Sequence, residues 1–373
     1  MIYYPLIFTF IVLFLLIFWV AYKSTKIKKE RENIPVDYIK GLEQYASSDY
    51  DNAFNYLNIA WERNPENVNA YLLVGDILRK KGYFDAAIGV HKNILVKPGL
   101  DSNMKIRTSK SLAEDYIMKG EKKEAINSLN IALKEGDTSK ETLIKLMNLY
   151  EEIEEWENAF NIGKDFYSDK EKIAAYSSYV GLKMLNKNPQ NAFSYIKTGL
   201  KSDIPLAHYA FSLYLFHLGR EDDGIKEMKE LILENPGYFD LCIEHLEQKS
   251  FQKGKFGELE DFFNEIIKKD KDNVSVIAKF AEMMAKKKDK IKVMDLLALL
   301  KDERFYPENV VTRIKVLSII DFNRIKSEID ELQNILNYRK VYKCKECGYE
   351  MEKFDFKCPS CFNIDTFYRM WKA

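Results

Sequence analysis

Residues 38–65, YIKGLEQYASSDYDNAFNYLNIAWERNP, decide the fold. Gly41 and Ala53 supply small side chains where two packed helices can approach each other closely. The aromatic residue Tyr50 precedes Ala53 by three positions, and Pro65 ends the segment. This order of small, aromatic, small and helix-ending residues is typical of a tetratricopeptide repeat, a helix hairpin of about 34 residues.

The central small position recurs along the chain at a nearly constant interval. Its occupants are Ala53, Ala87, Ala125, Ala159, Ala192, Gly224, Leu259 and Val293. Successive spacings are 34, 38, 34, 33, 32, 35 and 34 residues. Because each such unit must bury one face against its neighbours, the period predicts an all-α, tetratricopeptide-like solenoid over residues 36–337. It has about eight or nine helix pairs, the last from about Val310 to Asn337.

Composition agrees with this class and excludes others. Gly and Pro are scarce, at 16 and 9 residues, which favours helices over a sandwich or barrel. The 57 basic residues balance the 57 acidic ones, so no net field attracts nucleic acid. A solenoid of this kind presents a concave surface to peptides or protein segments. We expect that surface to expose polar and aromatic side chains such as Tyr45, Asn69, Arg79, Lys110, Asp115 and Asn148.

The sequence contains none of the common catalytic signatures, such as G-x-x-x-x-G-K-[ST], G-x-G-x-x-G, G-x-S-x-G or H-E-x-x-H. The scattered His91, His208, His217 and His245 are expected to be packing or surface residues rather than bases. Cys242 is expected to be a small buried apolar residue. The sequence therefore predicts a binding protein rather than an enzyme.

The first 22 residues predict a transmembrane helix. Residues 2–22 carry no charge, and 21 helical residues span about 30 Å, the thickness of the hydrocarbon core. The basic stretch KSTKIKKER follows at residues 23–31 within a linker, 23–35, and places the rest of the chain in the cytoplasm by the positive-inside rule. A cleaved signal peptide fits less well, because no basic stretch precedes the apolar run and no small-x-small cleavage site follows it.

Four cysteines near the C-terminus have metal-ligand spacing. Cys344, Cys347, Cys358 and Cys361 form C-x2-C-x10-C-x2-C within residues 338–373. Four thiolates can close a tetrahedral site for one Zn or Fe ion, as in zinc ribbons and rubredoxin. Such a site leaves no open position for hydrolytic catalysis. A redox role, with iron passing electrons or with a reactive dithiol, is the alternative.

These features together resemble the lipopolysaccharide assembly protein B (LapB) family. The resemblance is carried by the apolar N-terminal segment, the opening repeats, the run Arg79, Gly82, Asp85, Ala87, Ile88 and His91, and the tail YKCKECGYEMEKFDFKCPSC. It spans the whole chain and is least specific between residues 170 and 335. It implies a single-pass protein of the bacterial inner membrane whose rubredoxin-type metal module packs against the repeats.

The resemblance also implies a function. Members of that family act as adaptors that work with the membrane protease FtsH to promote degradation of the LpxC deacetylase, which commits precursors to lipid A. It further implies links to a lipopolysaccharide sensor and to export proteins. A general membrane-tethered scaffold for envelope assembly complexes, without a proteolytic role, is the alternative. The sequence leaves open whether the chain forms a homo-oligomer.

Overall fold

A computed structural model describes most of the chain. The described residues are 16–19, 23, 36–300, 306–320 and 339–372. They divide into two compact units, residues 1–154 and 155–373.

Most of the predicted transmembrane segment, residues 1–22, and of the linker, 23–35, lies outside the described residues. Residues 16–19 are helical and exposed. Among the residues that the structure describes, no helix is both long enough and apolar enough to cross a membrane. The anchor therefore stays a prediction from the sequence.

The first unit is a series of antiparallel helix hairpins. Its helices are α1 (Val36–Ala46), α2 (Tyr50–Arg63), α3 (Val68–Lys80), α4 (Phe84–Leu95), α5 (Ser102–Lys119), α6 (Lys122–Lys134) and α7 (Lys140–Glu152). Side chains of Asp49, Asn67, Asp101 and Ser139 cap the N-termini of α2, α3, α5 and α7. Each satisfies a backbone N–H that the first turn of the helix leaves without a partner.

Close packing explains the small residues of the first unit. Ala53, Ala87 and Ala125 are fully buried. A methyl group added at Gly41 would lie 2.6 Å from Leu57 Cγ, well inside van der Waals contact. Gly41 is therefore needed because α2 crosses α1 at that position, as the repeat pattern predicts.

The second unit continues with helix pairs and ends in a small sheet. Its helices are α8 (Trp156–Phe166), α9 (Lys170–Met184), α10 (Pro189–Leu200), α11 (Pro205–His217), α12 (Glu221–Glu234), α13 (Phe239–Gln252), α14 (Phe256–Lys269), α15 (Val274–Lys286), α16 (Lys290–Leu297) and α17 (Tyr306–Ile320). A 3₁₀ turn, Pro236–Tyr238, precedes α13. The central positions Ala159, Ala192, Leu259 and Val293 are fully buried. The repeat period therefore locates the core even where alanine is replaced.

The turns inside most of these helix pairs share one backbone feature. A residue one or two positions after the first helix of the pair has a positive φ angle, which favours glycine. The position is filled by Ser48, Gly82, Gly120, Gly219, Gly254 and Lys288. Glycine thus occupies it four times, and serine and lysine occupy it once each.

The C-terminal module is a three-stranded antiparallel sheet. Its strands are β1 (Arg339–Cys344), β2 (Glu350–Met351) and β3 (Phe367–Lys372), in the order β2-β1-β3. Tyr342 pairs with Met351 on one side and with Arg369 on the other. The sheet brings both ends of the cysteine-bearing segment together.

Candidate metal centre

Each Cys-x-x-Cys pair lies in a tight turn. The N–H of Gly348 donates to the Cys344 carbonyl at 3.0 Å, and the N–H of Phe362 donates to the Cys358 carbonyl at 2.9 Å. Gly348 and Phe362 both have positive φ angles, +76° and +61°. Gly348 adopts this conformation at little cost, whereas phenylalanine is disfavoured there. The two turns therefore have the same backbone geometry, and only the first has the residue that this geometry prefers.

The four sulfur atoms lie within 4.8 Å of one another. Cys344 Sγ is 3.7 Å from Cys361 Sγ, and Cys347 Sγ is 3.7 Å from Cys358 Sγ. A disulfide would hold two sulfurs at about 2.0 Å. A regular tetrahedron with metal–sulfur bonds of about 2.3 Å has edges of about 3.8 Å. The cluster can therefore hold one metal ion.

Side-chain donors surround the sulfurs. The Thr366 hydroxyl lies 3.1 Å from Cys344 Sγ, and the Asn363 amide donates to Cys361 Sγ at 3.4 Å. Donors of this kind stabilise thiolates and orient them.

The thiol pKa values differ strongly within the cluster. Burial opposes ionisation of Cys344, but the Thr366 hydroxyl and the backbone N–H groups of Cys347 and Glu346 outweigh it and lower the pKa of Cys344 to about 7. Burial, together with the neighbouring thiols, raises the pKa of Cys361 to about 12. Four thiolates cannot gather here without a cation, so this donor set suits a divalent or trivalent metal.

The module docks on helices of its own unit through hydrogen bonds that the sequence did not indicate. The Tyr167 hydroxyl donates to the Phe362 carbonyl at 2.5 Å. Arg369 donates to the Asp240 carboxylate at 2.5 Å and to the Ser275 hydroxyl at 2.6 Å. These contacts fasten the second cysteine turn and strand β3 to helices α8, α13 and α15.

Aromatic packing reinforces the same interface. The ring of Phe362 lies 6.1 Å from that of Phe166, nearly perpendicular to it. The ring of Phe356 lies 6.0 Å from that of Tyr209. Contacts of this kind stabilise an interface beyond the area that they bury. Phe362 therefore has a packing role that accounts for a phenylalanine in a backbone conformation suited to glycine.

A hydrogen-bonded hydroxyl–carboxyl pair, formed by the buried Tyr238 and the half-buried Asp365, lies at the interface. The Tyr238 hydroxyl donates to Asp365 Oδ2 at 2.5 Å. Burial raises the pKa of Asp365, although the Tyr238 hydroxyl and Lys345 act in the opposite direction. Burial and the nearby Asp365 charge likewise raise the pKa of Tyr238. The pair therefore favours the neutral carboxyl more than an exposed aspartate does.

A groove runs between the module and the helices of the second unit. Its volume is about 820 Å³. Tyr342 and Phe354 of the module form part of one wall, and Tyr238, Asp272 and Asn273 form part of the other. Because both walls are needed, the groove depends on the docked position of the module.

The structure corrects one expectation about the repeat surface. Asp115, expected to be exposed, is fully buried, and that prediction is wrong. The reason is a polar network in the first unit: His91 Nδ1 lies 2.5 Å from Asp115 Oδ2, and Arg79 donates to Asp115 Oδ1 at 2.8 Å. Arg79 also donates to Asp76 at 2.7 Å, and only 17% of its side chain is exposed. Sequence spacing places Arg79 and His91 in one hairpin but does not indicate a partner on α5.

Two other predictions about single residues agree with the structure. Cys242 is fully buried, and burial raises the pKa of its thiol to about 12. His91 is a packing residue, fully buried. The four-sulfur cluster includes neither residue.

The chain is similar to proteins named lipopolysaccharide assembly protein B. The relative from Haemophilus influenzae is 22% identical over an alignment of 390 positions. The alignment covers 93% of this chain and 91% of the relative. The relative from Escherichia coli K12 is 20% identical over 349 residues, which cover 89% of this chain and 88% of the relative. The resemblance to that family is therefore confirmed. No protein-family model matches the chain.

Solved structures match parts of the chain. A structure of MamA protein is 22% identical, covers 44% of this chain and 89% of its own, and has a TM-score of 0.35. A tetratricopeptide repeat protein from Parabacteroides merdae is 16% identical, covers 79% of this chain and 96% of its own, and has a TM-score of 0.30.

Proposed function

We propose that this protein regulates lipopolysaccharide synthesis as a non-enzymatic adaptor. The premise is its similarity to lipopolysaccharide assembly protein B, which covers about nine tenths of the chain. It is anchored by residues 1–22 in the bacterial inner membrane, with the repeats and the metal module in the cytoplasm. It presents the LpxC deacetylase to the membrane protease FtsH and so promotes the degradation of LpxC.

One observation carries this proposal: the similarity covers 93% of this chain and 91% of the Haemophilus influenzae relative, so it extends far beyond any single repeat. Helix repeats bind protein segments through extended surfaces. A membrane anchor raises the effective concentration of such a surface near a membrane protease. Both properties suit a protein that brings a substrate to FtsH.

The metal has a structural role in this proposal. Cys344, Cys347, Cys358 and Cys361 hold one Zn or Fe ion, which leaves no coordination position for a substrate. When bound, the ion supplies folding energy to a module that has few buried apolar residues of its own. The module then keeps the groove beside α13 in place.

The half-life of LpxC tests the proteolytic role. After protein synthesis is stopped, depletion of this chain should lengthen the half-life of LpxC several-fold, and re-expression should restore it. A variant without residues 1–22 should fail to restore it, whereas the exposed-surface variant Lys197→Gln should succeed. An unchanged half-life upon depletion contradicts the proposal and favours a scaffold for another envelope complex.

A further inference from the structure

A histidine of α11 lies between two carboxylates that belong to different elements. His208 Nδ1 is 2.6 Å from Glu227 Oε1 on α12, and His208 Nε2 is 3.1 Å from Asp203 Oδ1 in the turn before α11. The side chains of His208 and Glu227 are 29% and 20% exposed, whereas that of Asp203 is 89% exposed. The three side chains therefore link α12 to a turn at the surface.

The two contacts of the imidazole ring together need a proton on each ring nitrogen. A neutral imidazole has one N–H, and its other nitrogen is an acceptor. Ionised carboxylate oxygens are acceptors as well, so a neutral ring can donate to only one of the two carboxylates. Only the imidazolium form of His208 therefore satisfies both contacts.

The ring of His208 contacts no other charged group among the described residues. On α12, Asp223 and Glu230 lie one turn from Glu227, and each pairs with a basic residue of its own. Helices α9 and α10 also pack against α11. The charged side chains of these two helices and of the turn after them, apart from Asp203, are exposed: Lys170, Glu171, Lys172, Lys183, Lys197 and Lys201.

The two carboxylates stabilise the charged ring. The hydrogen bond to Glu227 has the largest effect and raises the pKa of His208, burial lowers it, and the hydrogen bond to Asp203 raises it again, so that the pKa lies above the ordinary value of 6.5. The folded state therefore binds the proton more tightly than the unfolded chain. Stability from these contacts is fully present below pH 6.5 and is lost as the pH rises through the pKa of the folded state.

The turn that contains Asp203 lines two cavities next to the cysteine module. Asp203 has a φ angle of +53°, which is uncommon for a residue other than glycine. The next two residues, Ile204 and Pro205, line a cavity of about 360 Å³ together with Asn363 and Thr366 of the module. Pro205 also lines the groove of about 820 Å³ beside the module. The position of this turn therefore affects both cavities.

From these contacts we infer that Asp203, His208 and Glu227 form a pH-sensitive clamp that holds the wall of the two cavities. The protonated ring joins the turn to α12. Upon deprotonation the ring keeps its proton at Nδ1, because the contact with Glu227 is shorter and less exposed, and Nε2 loses the N–H that holds Asp203. The turn is then freed from α12, and Ile204 and Pro205 with it. The clamp lies within the second unit and does not depend on a role in LpxC degradation.

A ring titration and hydrogen exchange of the full chain test the clamp together. In protein labelled with carbon-13 at histidine Cε1, the signal that is missing from His208→Gln belongs to His208, and it should titrate with a midpoint above pH 6.5. The protection factors of backbone amides 202–204, each taken relative to the intrinsic exchange rate at the same pH, should fall several-fold through that midpoint. A pKa difference of one unit between the folded and the unfolded state corresponds to about a tenfold change in protection.

An exposed-site variant tests the clamp without disturbing the core. Asp203→Asn removes the exposed carboxylate and keeps a residue type that tolerates a positive φ angle, so it should fold as the wild type does. It should lower the midpoint of His208 and leave amides 202–204 weakly protected at every pH. The matched control is His217→Gln, which removes an exposed histidine at the end of the same helix. This control should keep the pH dependence of the wild type.

Three results would overturn the inference. The first is a His208 signal that titrates at or below pH 6.5. The second is protection of amides 202–204 that does not change with pH in the wild type. The third is a change of the same size in Asp203→Asn as in the wild type, because the pH dependence would then not come from the contact between Asp203 and His208.

Discussion

The helix repeats and the cysteine module are stabilised in different ways. The repeats bury a small or apolar residue at every central position, from Ala53 to Val293. In the module, residues 339–372, the described apolar and cysteine side chains that are buried are Val341, Cys344, Phe356 and Cys358. The repeats therefore rely on many similar local contacts, whereas the module has few buried side chains and depends on docking and on the proposed metal site.

This difference determines how each region should lose its structure when a residue is changed. A solenoid distributes its stability over neighbouring units, so that one lost contact weakens it locally. A metal-stabilised module of this size loses its fold with its metal. Variants that affect one region and leave the other intact therefore test the comparison.

The largest expected effect is loss of the metal. Cys358→Ser removes a fully buried cysteine that we propose as a ligand, and structural zinc sites contribute about 10–16 kcal/mol to folding. We expect the variant to purify without stoichiometric metal and with an unfolded module, while far-ultraviolet circular dichroism shows nearly unchanged helix content. Cys242→Ala, at a buried cysteine outside the cluster, should keep one metal ion per chain. Full metal content in Cys358→Ser would contradict the account.

The next effect lies in the first unit and leaves the metal site untouched. Asp115→Ala leaves Arg79 and His91 without their buried carboxylate partner, and breaking a buried charged network costs about 3–5 kcal/mol. Urea unfolding should show this loss at unchanged metal content. Glu43→Ala, at an exposed carboxylate of the same unit, should change the unfolding free energy by less than about 0.5 kcal/mol. Equal unfolding free energies of the two variants would show that the network adds no stability.

A smaller effect is expected at the docking interface. Tyr238→Phe leaves the half-buried Asp365 without its hydroxyl donor, which costs about 1 kcal/mol. Hydrogen exchange should become faster in β3 and in the loop after Cys361, with little change in α1–α7. Tyr349→Phe, at an exposed tyrosine of the module, serves as the control. Unchanged exchange in Tyr238→Phe would mean that this hydrogen bond does not hold the module.

The smallest effect is a pH dependence. Because burial raises the pKa of Asp365 above its ordinary value of 3.8, the folded state binds more protons than the unfolded state over the interval between the two pKa values. The contribution of Asp365 to the unfolding free energy is fully present below pH 3.8, and it is lost as the pH rises through the pKa of the folded state. Asp365→Asn cannot ionise and keeps an oxygen acceptor for Tyr238.

The unfolding free energy of the wild type, minus that of Asp365→Asn, should therefore fall with rising pH. Taking this difference removes the opposite pH dependence of metal binding, which both proteins share. Urea titrations of the two zinc-loaded proteins at several pH values measure the difference. A difference that stays constant from pH 4 to pH 8 would contradict the assignment.

The sequence predicts the repeats well because their signal is periodic. Gly41 and Ala53 predict the close crossing of α1 and α2. The interval between successive central positions locates the later repeats even where Leu259 or Val293 replaces alanine. The spacing of the four cysteines likewise predicts their cluster, since two short turns are enough to bring each pair together.

Contacts between distant segments could not be predicted in this way. The hydrogen bond between Tyr238 and Asp365 joins residues 127 positions apart, and nothing in the local pattern of either segment indicates it. The burial of Asp115 is not predictable for a similar reason: its partners Arg79 and His91 lie 36 and 24 positions away, on other helices. The local sequence around a single helical aspartate predicts an exposed side chain, because it does not indicate partners on other helices.

Reconstituted proteolysis tests the central claim most directly. FtsH and LpxC are placed in liposomes with the full chain, with its Cys358→Ser variant, or without either, and the rate of LpxC cleavage is measured. The account predicts a several-fold faster cleavage with the wild-type chain and no acceleration with Cys358→Ser. Cleavage at the same rate in all three samples would contradict the adaptor role.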